Sequence, residues 1–321
     1  MKRWLVLGGS GFVGRALCEQ LVDQHGGGGV RITVPTRRRA HAQHLLPLPT
    51  VDVVEASVHD EKALMRLLAG VDAVVNLVAI LHGSKDEFEH AHVGLPQRLA
   101  AACVRAGVRR VVHVSALGVP DDPASAPSNY LRTKAAGELA LRAAGLDLTV
   151  LRPSVIFGAH DRFLNLFARL QAAFPVVPLA GSDARFQPVW VGDVARAIAR
   201  CLADPTTAGQ TYECVGPQVY TLKELVEMAG RFSGHPRRVV PVPGWVGRAQ
   251  AFAMSVLPGE PLMSKDNLDS MQVPNVATGR WPGLPALGVA PTPVTSIAPI
   301  YLRGGHAGGE QLDDWRSRAG R

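Results

Sequence analysis

The first 155 residues alternate between short apolar runs and stretches in which apolar residues recur every three or four positions. The apolar runs cover residues 4–7, 30–34, 51–54, 73–78, 111–114 and 148–151. Helical spacing between the runs is illustrated by Val13, Leu17 and Leu21. Because strand–helix–strand repetition is typical of a parallel sheet covered by helices on both faces, we predict a doubly wound Rossmann α/β domain over residues 1–155.

Beyond Pro153 the pattern loosens into segments separated by prolines. It predicts an amphipathic helix at 161–174, a loop with Pro175 and Pro178, a strand at 186–191, a helix at 194–202, a strand at 210–215 and a helix that Thr221 opens with a capping box. We therefore expect a smaller α/β lobe over 156–302, in which about 186–203 returns to the Rossmann domain. The glycine-rich tail 303–321 is expected to be disordered.

The composition is typical of a folded globular protein, with 47% hydrophobic and 19% charged residues. No apolar run reaches the roughly 18 residues of a membrane-spanning helix, and no signal-peptide pattern is present, so we expect a cytoplasmic protein. The formal net charge of +7 fits phosphate-bearing ligands, anionic membrane surfaces or nucleic acid equally well. The four cysteines lie far apart and are expected to be free, with no metal site.

A glycine-rich turn follows the first predicted strand, with the sequence Gly8-Gly9-Ser10-Gly11-Phe12-Val13-Gly14. We expect Gly8 to make the tight turn, Gly11 to let a pyrophosphate approach bare backbone, and Gly14 to let the helix pack closely. The helix N-terminus would offer free amides to the phosphates. At the first strand-to-helix junction of a βαβ series, this motif predicts a dinucleotide site rather than an ordinary glycine-rich loop.

The second predicted strand ends in Thr36-Arg37-Arg38-Arg39, where an NAD-preferring protein usually carries an acidic residue. Arginine can bind the 2′-phosphate of NADP(H), so the sequence favours NADP(H), with NAD(H) as the alternative. The other interpretation is a solvated basic loop. A nucleic-acid patch is disfavoured because no aromatic platform accompanies the arginines.

Three candidate catalytic residues follow the fifth predicted strand. Ser115 comes directly after it, and Tyr130 and Lys134 lie four residues apart at the start of a helix, on one helical face. We expect the lysine charge to lower the tyrosine pKa, so that Tyr130 exchanges a proton with a substrate oxygen that Ser115 orients. The alternative is a surface helix whose tyrosine packs on its neighbour.

Seven segments carry a family resemblance, at residues 8–14, 76–83, 114–118, 130–138, 151–158, 186–191 and 262–268. The chain resembles the extended short-chain dehydrogenase/reductase superfamily. It is most similar to an atypical branch that contains the dehydrogenase-like accessory subunit of respiratory complex I and its bacterial relatives. The resemblance runs from Leu5 to about Leu302.

This resemblance implies further cofactor contacts, besides Tyr130 and Lys134, at Ser57, Val58, Val78, Ala79, Val114, Pro153 and Val155. Two departures stand out. His92 replaces the usual helix asparagine, which weakens the proton relay, and Ser57-Val58 stands where relatives often have an aspartate near the adenine. Some members of the branch hold NADPH tightly in a structural or sensing role, with little turnover.

Two functions remain open at this point. The first is an NADP(H)-binding oxidoreductase or epimerase-like enzyme, connected to quinone metabolism. The second is a non-catalytic accessory or assembly subunit of a respiratory or ubiquinone-synthesis complex, with structural NADPH. The stretch 243–257 is either an ordinary core helix or an amphipathic helix that faces a partner or the inner face of the membrane, to which the protein would then be peripheral.

Overall fold

The computed structural model describes residues 1–26, 28–243 and 264–303. Strands form where the sequence has apolar runs. In chain order they are β1 (Lys2–Leu7), β2 (Val30–Thr36), β3 (Val51–Glu55), β4 (Ala73–Asn76), β5 (Arg110–Val114), β6 (Asp147–Pro153), β7 (Ile156–Phe157), β8 (Val176–Ala180), β9 (Arg185–Phe186), β10 (Val189–Trp190), β11 (Thr211–Cys214), β12 (Tyr220–Thr221) and β13 (Arg238–Val242).

The helices lie between these strands and after the last of them. They are α1 (Phe12–His25), α2 (Glu61–Leu68), α3 (Lys85–Glu89), α4 (Leu95–Ala106), α5 (Asn129–Ala143), α6 (Leu164–Ala173), α7 (Val191–Ala203), α8 (Leu222–Phe232), α9 (Lys265–Ser270) and α10 (Val294–Leu302). No helix among the described residues is both long enough and apolar enough to cross a membrane.

Seven strands make the central sheet, in the order β11-β6-β5-β4-β1-β2-β3. All neighbouring pairs in this sheet are parallel. The sheet reverses its winding direction at β1, so that crossovers leave on both sides, as in a doubly wound fold. The predicted Rossmann fold class is confirmed.

Two apolar clusters cover the two faces of the sheet, because alternate side chains of a strand point to opposite faces. In β1, Trp4 and Val6 belong to the cluster shared with α1 and α7, whereas Leu5 and Leu7 belong to the cluster shared with α2 and α4. Helix α7 packs on α1, and β11 pairs with β6, so residues from the C-terminal half complete this domain.

A separate apolar cluster, in addition to the two on the sheet faces, joins α6, α8 and α10 to the short strands. Two details differ from the sequence prediction. The expected loop at Pro175 and Pro178 contains β8, which pairs in parallel with β13, and the expected strand 186–191 is broken into β9 and β10. Proline is tolerated in β8 because this sheet has only two strands and both are edges.

The other predicted C-terminal elements form with shifted ends, as α6, α7 and β11. Thr221 caps α8 as expected, since its Oγ1 accepts from the Glu224 amide at 3.2 Å while Glu224 Oε2 accepts from the Thr221 amide at 2.7 Å. Most of the stretch 243–257 and nearly all of the tail 303–321 lie outside the described residues.

A π-helical turn, His90–Gly94, connects α3 to α4 and packs against α5. Contact is close because residue 137 of α5 is glycine. A Cβ at Gly137 would lie 2.0 Å from the carbonyl oxygen of His92, well inside van der Waals distance. Helix α5 can therefore approach the π turn only through a bare backbone.

We predict that Gly137→Ala destabilises the protein by at least the roughly 1–3 kcal/mol of a typical overpacked core site, because two helices must separate. The measurement is the free energy of unfolding in urea. Gly28→Ala is the matched control, because nothing lies within 4 Å of its added Cβ. Equal stability of the two variants would contradict the proposed close contact.

Candidate active site and nucleotide-binding edge

The candidate residues gather along the carboxyl edge of the central sheet. Because the strands are parallel, the residues that follow each strand emerge on the same side. The turn 8–14 follows β1, and Thr36 ends β2 with Arg37 and Arg38 after it. Ser57 and Val58 follow β3, and Val78 and Ala79 follow β4. Val114 ends β5 with Ser115 after it, and Pro153 ends β6 with Val155 two residues later. All the sequence-predicted site residues except Tyr130 and Lys134 thus come from strand ends or, for Phe12, Val13 and Gly14, from the start of the helix after β1.

The glycine turn packs against its neighbours through backbone. Gly8 has a φ of +78°, and a Cβ there would lie 3.1 Å from the Leu77 carbonyl carbon and the Val78 amide nitrogen. A Cβ at Gly14 would lie 2.4 Å from Gly9 Cα, so Gly14 packs helix α1 against the turn itself. Gly9, which the sequence reasoning passed over, is enclosed by the Val34 side chain, which would lie 2.8 Å from a Cβ added at residue 9.

The start of α1 is suited to a diphosphate. Gly11 is the N-cap, its backbone is extended, and it has no side chain that could satisfy the first amides of the helix. Phe12 and Val13 are the first helical residues, whose amides have no partner within a helix. No acidic residue lies in the first turn, so nothing there repels a phosphate.

The arginines after β2 are exposed. Arg37 and Arg38 form no ion pair with a carboxylate in the described parts of the chain. Thr36 is buried, and its hydroxyl donates to the Arg38 carbonyl oxygen at 3.1 Å, which fixes the bend at the end of β2. Within the described chain, two cations without a carboxylate partner are thus held beside the nucleotide edge.

Lys134 is buried, with 2% of its surface exposed. Its ammonium donates to the carbonyl oxygen of Val114 at 2.8 Å, which ties α5 to the end of β5. Burial lowers the pKa of Lys134 to about 8, against a smaller opposing effect of Glu138. The lysine is therefore a weaker cation than an exposed lysine.

Tyr130 lies one turn before Lys134, in the first turn of α5. Its ring packs edge-to-face on His92 with centroids 5.5 Å apart, and Phe88 lies 6.4 Å away. Burial raises the pKa of Tyr130 to about 12. The expected lowering of this pKa by Lys134 does not occur in the protein alone, because the loss of hydration on burial disfavours the charged phenolate.

Ser115 is also buried, with 4% exposed. Its amide donates to the Leu151 carbonyl oxygen at 2.8 Å, which holds it at the junction of β5 and β6. Its hydroxyl has no hydrogen-bond partner among the described residues. A buried hydroxyl without a partner is uncommon and calls for an explanation, and a catalytic role is one that it can have.

His92 is fixed by contacts at both of its ring nitrogens. The described residues contain no group of three or more His, Cys, Asp or Glu side chains placed to bind a metal ion. Instead, its Nε2 accepts from the Ile80 amide at 3.0 Å, and its Nδ1 lies 3.0 Å from Thr133 Oγ1. Burial lowers the pKa of His92 to about 3, so the ring is neutral.

Sequence reasoning missed two residues that hold the site together. Asp266 of α9 accepts from the Asn129 amide at 2.8 Å and from the Tyr130 amide at 3.0 Å. Asn275 Oδ1 accepts from Ser154 Oγ and from the Val155 amide, which fixes the loop after β6. The segment 262–268 was a signal for the first, but only the folded chain shows what Asp266 contacts.

Comparison with known proteins places these features in a family. The model of the NAD dependent epimerase/dehydratase family matches residues 4–214, which is more than half of the chain. Subunit 9 of the NADH dehydrogenase [ubiquinone] 1 alpha subcomplex from Mus musculus is 32% identical over 302 residues, 90% of this chain and 76% of that protein. A ceramide reductase from Caulobacter vibrioides is 28% identical over 239 residues, 74% of this chain and 73% of that protein.

Solved structures agree. A dTDP-glucose 4,6-dehydratase from Streptomyces venezuelae, solved with NAD and TYD bound, is 28% identical, with a TM-score of 0.65 over 75% of this chain and 85% of that chain. The glycine turn after β1 and the parallel sheet lie within the matched residues. This chain therefore belongs to the NAD-dependent epimerase/dehydratase family, the extended short-chain dehydrogenases/reductases.

Proposed function

We propose that this protein is an NADP(H)-dependent oxidoreductase in which Ser115, Tyr130 and Lys134 handle the substrate oxygen and its proton. The observation that carries the proposal is the buried, unpartnered hydroxyl of Ser115 at the carboxyl edge of the sheet. The carbonyl oxygen of the preceding residue, Val114, accepts a hydrogen bond from the ammonium of Lys134. An unsatisfied buried hydroxyl costs about 1–3 kcal/mol. A substrate oxygen bound there would remove that cost.

The proposed chemistry follows from these groups. Bound nicotinamide would supply or accept the hydride at the substrate carbon. In the direction of reduction, Tyr130 donates its phenolic proton to the carbonyl oxygen, and Ser115 donates a hydrogen bond to the same oxygen. Lys134, cationic at neutral pH, stabilises the phenolate that remains. Carbonyl, hydride and proton give the alcohol, and a solvent proton restores Tyr130.

A preference for NADP(H) is supported by charge. Arg37 and Arg38 are exposed beside the turn and have no carboxylate partner in the described chain, so they are available to a 2′-phosphate. No acidic side chain replaces them at the end of β2, where the sequence is Thr36-Arg37-Arg38.

A second candidate function is a non-catalytic accessory subunit whose nucleotide stabilises the fold. It is favoured by the similarity to a named subunit of NADH dehydrogenase and by His92, both of whose ring nitrogens have partners, so that it cannot relay protons freely. In that case the basic protein would bind a respiratory complex at the inner face of the membrane. Recovery of such a complex with the tagged protein, lost on deletion of residues 243–257, would support it.

We predict that Tyr130→Phe slows carbonyl reduction by about 10²- to 10⁴-fold and leaves NADPH affinity nearly unchanged, because only the proton donor is lost. The measurement is NADPH oxidation across a panel of quinones, ketoacyl lipids and nucleotide sugars, with calorimetry for affinity. Tyr220→Phe is the control, since Tyr220 lies on β12 in the other lobe. If native protein with bound NADPH reduces no compound, the accessory function is favoured.

We predict that Arg37→Ser with Arg38→Ser weakens NADPH binding by about 10- to 100-fold and leaves NADH binding within about twofold, because only the 2′-phosphate loses its charged partners. Calorimetry with both nucleotides measures this. Arg231→Ser on α8 is the control for a lost surface charge. Equal weakening of NADPH and NADH would show that the arginines do not select the phosphate.

We predict that Lys134 makes stability depend on pH. Its folded pKa of about 8 lies below the ordinary lysine value of 10.5, so the folded protein penalises the cation below pH 8 and is relieved of this penalty as the pH rises toward 10.5. Relative to Lys134→Met, native protein should therefore gain roughly 2–3 kcal/mol between pH 7 and pH 10. Urea unfolding at both pH values tests this. Lys62→Met, which removes an exposed lysine of α2, is the control.

A further inference from the structure

The side chain of His92 connects two parts of the site that are separate in sequence. It stands on the π-helical turn His90–Gly94, between the loop that follows β4 and the first turn of α5, and only 2% of it is exposed. Single π turns inside helices are rare, and those that occur are frequently found at functional sites. The extra residue of such a turn changes which side chain faces inward.

Both hydrogen bonds of the ring have a defined direction. The Ile80 amide donates to Nε2 at 3.0 Å, so the proton of the neutral ring lies on Nδ1. Nδ1 lies 3.0 Å from Thr133 Oγ1, and that hydroxyl donates in turn to the Asn129 carbonyl oxygen at 2.8 Å. Hydrogen bonds thus run without a break from the β4 loop to the main chain of α5.

Each end of this connection reaches a part of the site. Ile80 follows Val78 and Ala79, and the Val78 amide is held by Asn76 Oδ1 at 3.2 Å, so Asn76 and His92 together fix the loop. At the other end, Thr133 Oγ1 also lies 3.2 Å from the Tyr130 carbonyl oxygen, and the Tyr130 ring packs directly on His92.

We propose that His92 is a positioning residue that couples nucleotide binding at the loop Leu77–Ile80 to the placement of Tyr130. The coupling rests on the nucleotide site of the proposed function, but not on turnover. A nucleotide that orders the loop would, through Ile80, His92 and Thr133, restrict the first turn of α5. By thermodynamic reciprocity, breaking the connection must weaken the effect in both directions.

The test uses full-length protein labelled with ¹³C at the tyrosine Cζ, because the chain has only four tyrosines and Tyr130→Phe identifies the signal of Tyr130. His92→Phe keeps a ring against Tyr130 and Phe88 but removes both hydrogen bonds. Thr133→Val removes the hydrogen bond between His92 Nδ1 and α5 and leaves the bond between Nε2 and the Ile80 amide. His25→Phe is the control, because His25 loses a bond to the Leu21 carbonyl but lies about 20 Å along α1 from the glycine turn.

In native protein and in His25→Phe, NADPH should shift the Tyr130 signal. In His92→Phe and Thr133→Val that shift should be absent or less than half as large. NADPH affinity should fall about tenfold in His92→Phe, where the Ile80 amide loses its partner, and less in Thr133→Val. Nitrogen-15 spectra of native protein should show a neutral His92 ring protonated at Nδ1 between pH 5 and pH 8.

Three results would overturn the coupling. One is an unchanged NADPH-induced shift of Tyr130 in Thr133→Val, which tests the connection even if His92→Phe folds poorly. Another is a His92 ring protonated at Nε2, since Ile80 could then not donate to it. The third is that native protein binds NADPH tightly but its Tyr130 signal does not respond. If native protein binds no nucleotide at all, calorimetry shows this directly, and the proposed function fails together with the coupling.

Discussion

The parallel arrangement of the seven strands is the constraint on which the site depends. Parallel strands need a crossover after each strand, and all these crossovers leave the sheet at its carboxyl edge. Residues as distant in sequence as Gly8 and Pro153 therefore lie along the same edge without any contact having to be specified between them. The strand ends are level with one another, since Leu7 of β1 pairs with Asn76 of β4, and Asn76 pairs with His113 of β5. Individual residues have only to let the turn after β1 pack closely on its neighbours. Gly8 and Gly14 do so because they place no side chain there.

Elements whose signal is local could be predicted from the sequence, and elements that depend on distant contacts could not. Strands β1 to β6 are rich in apolar residues because both faces of the sheet are covered, so each strand is visible by itself in the sequence. Strand β8 contains Pro178, and only its pairing with β13, about sixty residues later, shows that it is a strand. In the expected strand 186–191, Gln187 and Pro188 separate two short strands that pair with different partners.

The same distinction holds for the site. The spacing of Tyr130 and Lys134 is a local property of one helix, and Ser115 is the residue after a strand, so their places follow from the sequence. Asp266 contacts Asn129 across 137 positions, and Asn275 contacts Ser154 across 121 positions. No periodicity reports contacts over such distances. The direction of the Tyr130 pKa also depends on the fold, because it is set by how much water the packed helices exclude.

Burial sets the electrostatics of the candidate site in the protein alone. Tyr130, with a pKa of about 12, holds its proton firmly, and Lys134, with a pKa of about 8, is a cation that can lose its charge. Both shifts come from burial. Negative charge brought next to Lys134 by a ligand would raise the lysine pKa again, whereas hydrogen bonds from ligand hydroxyls to the phenolate would lower the pKa of Tyr130. An enzyme and a nucleotide-stabilised subunit could therefore share every contact described here. On the proposed function, they would differ in whether a substrate oxygen reaches Ser115.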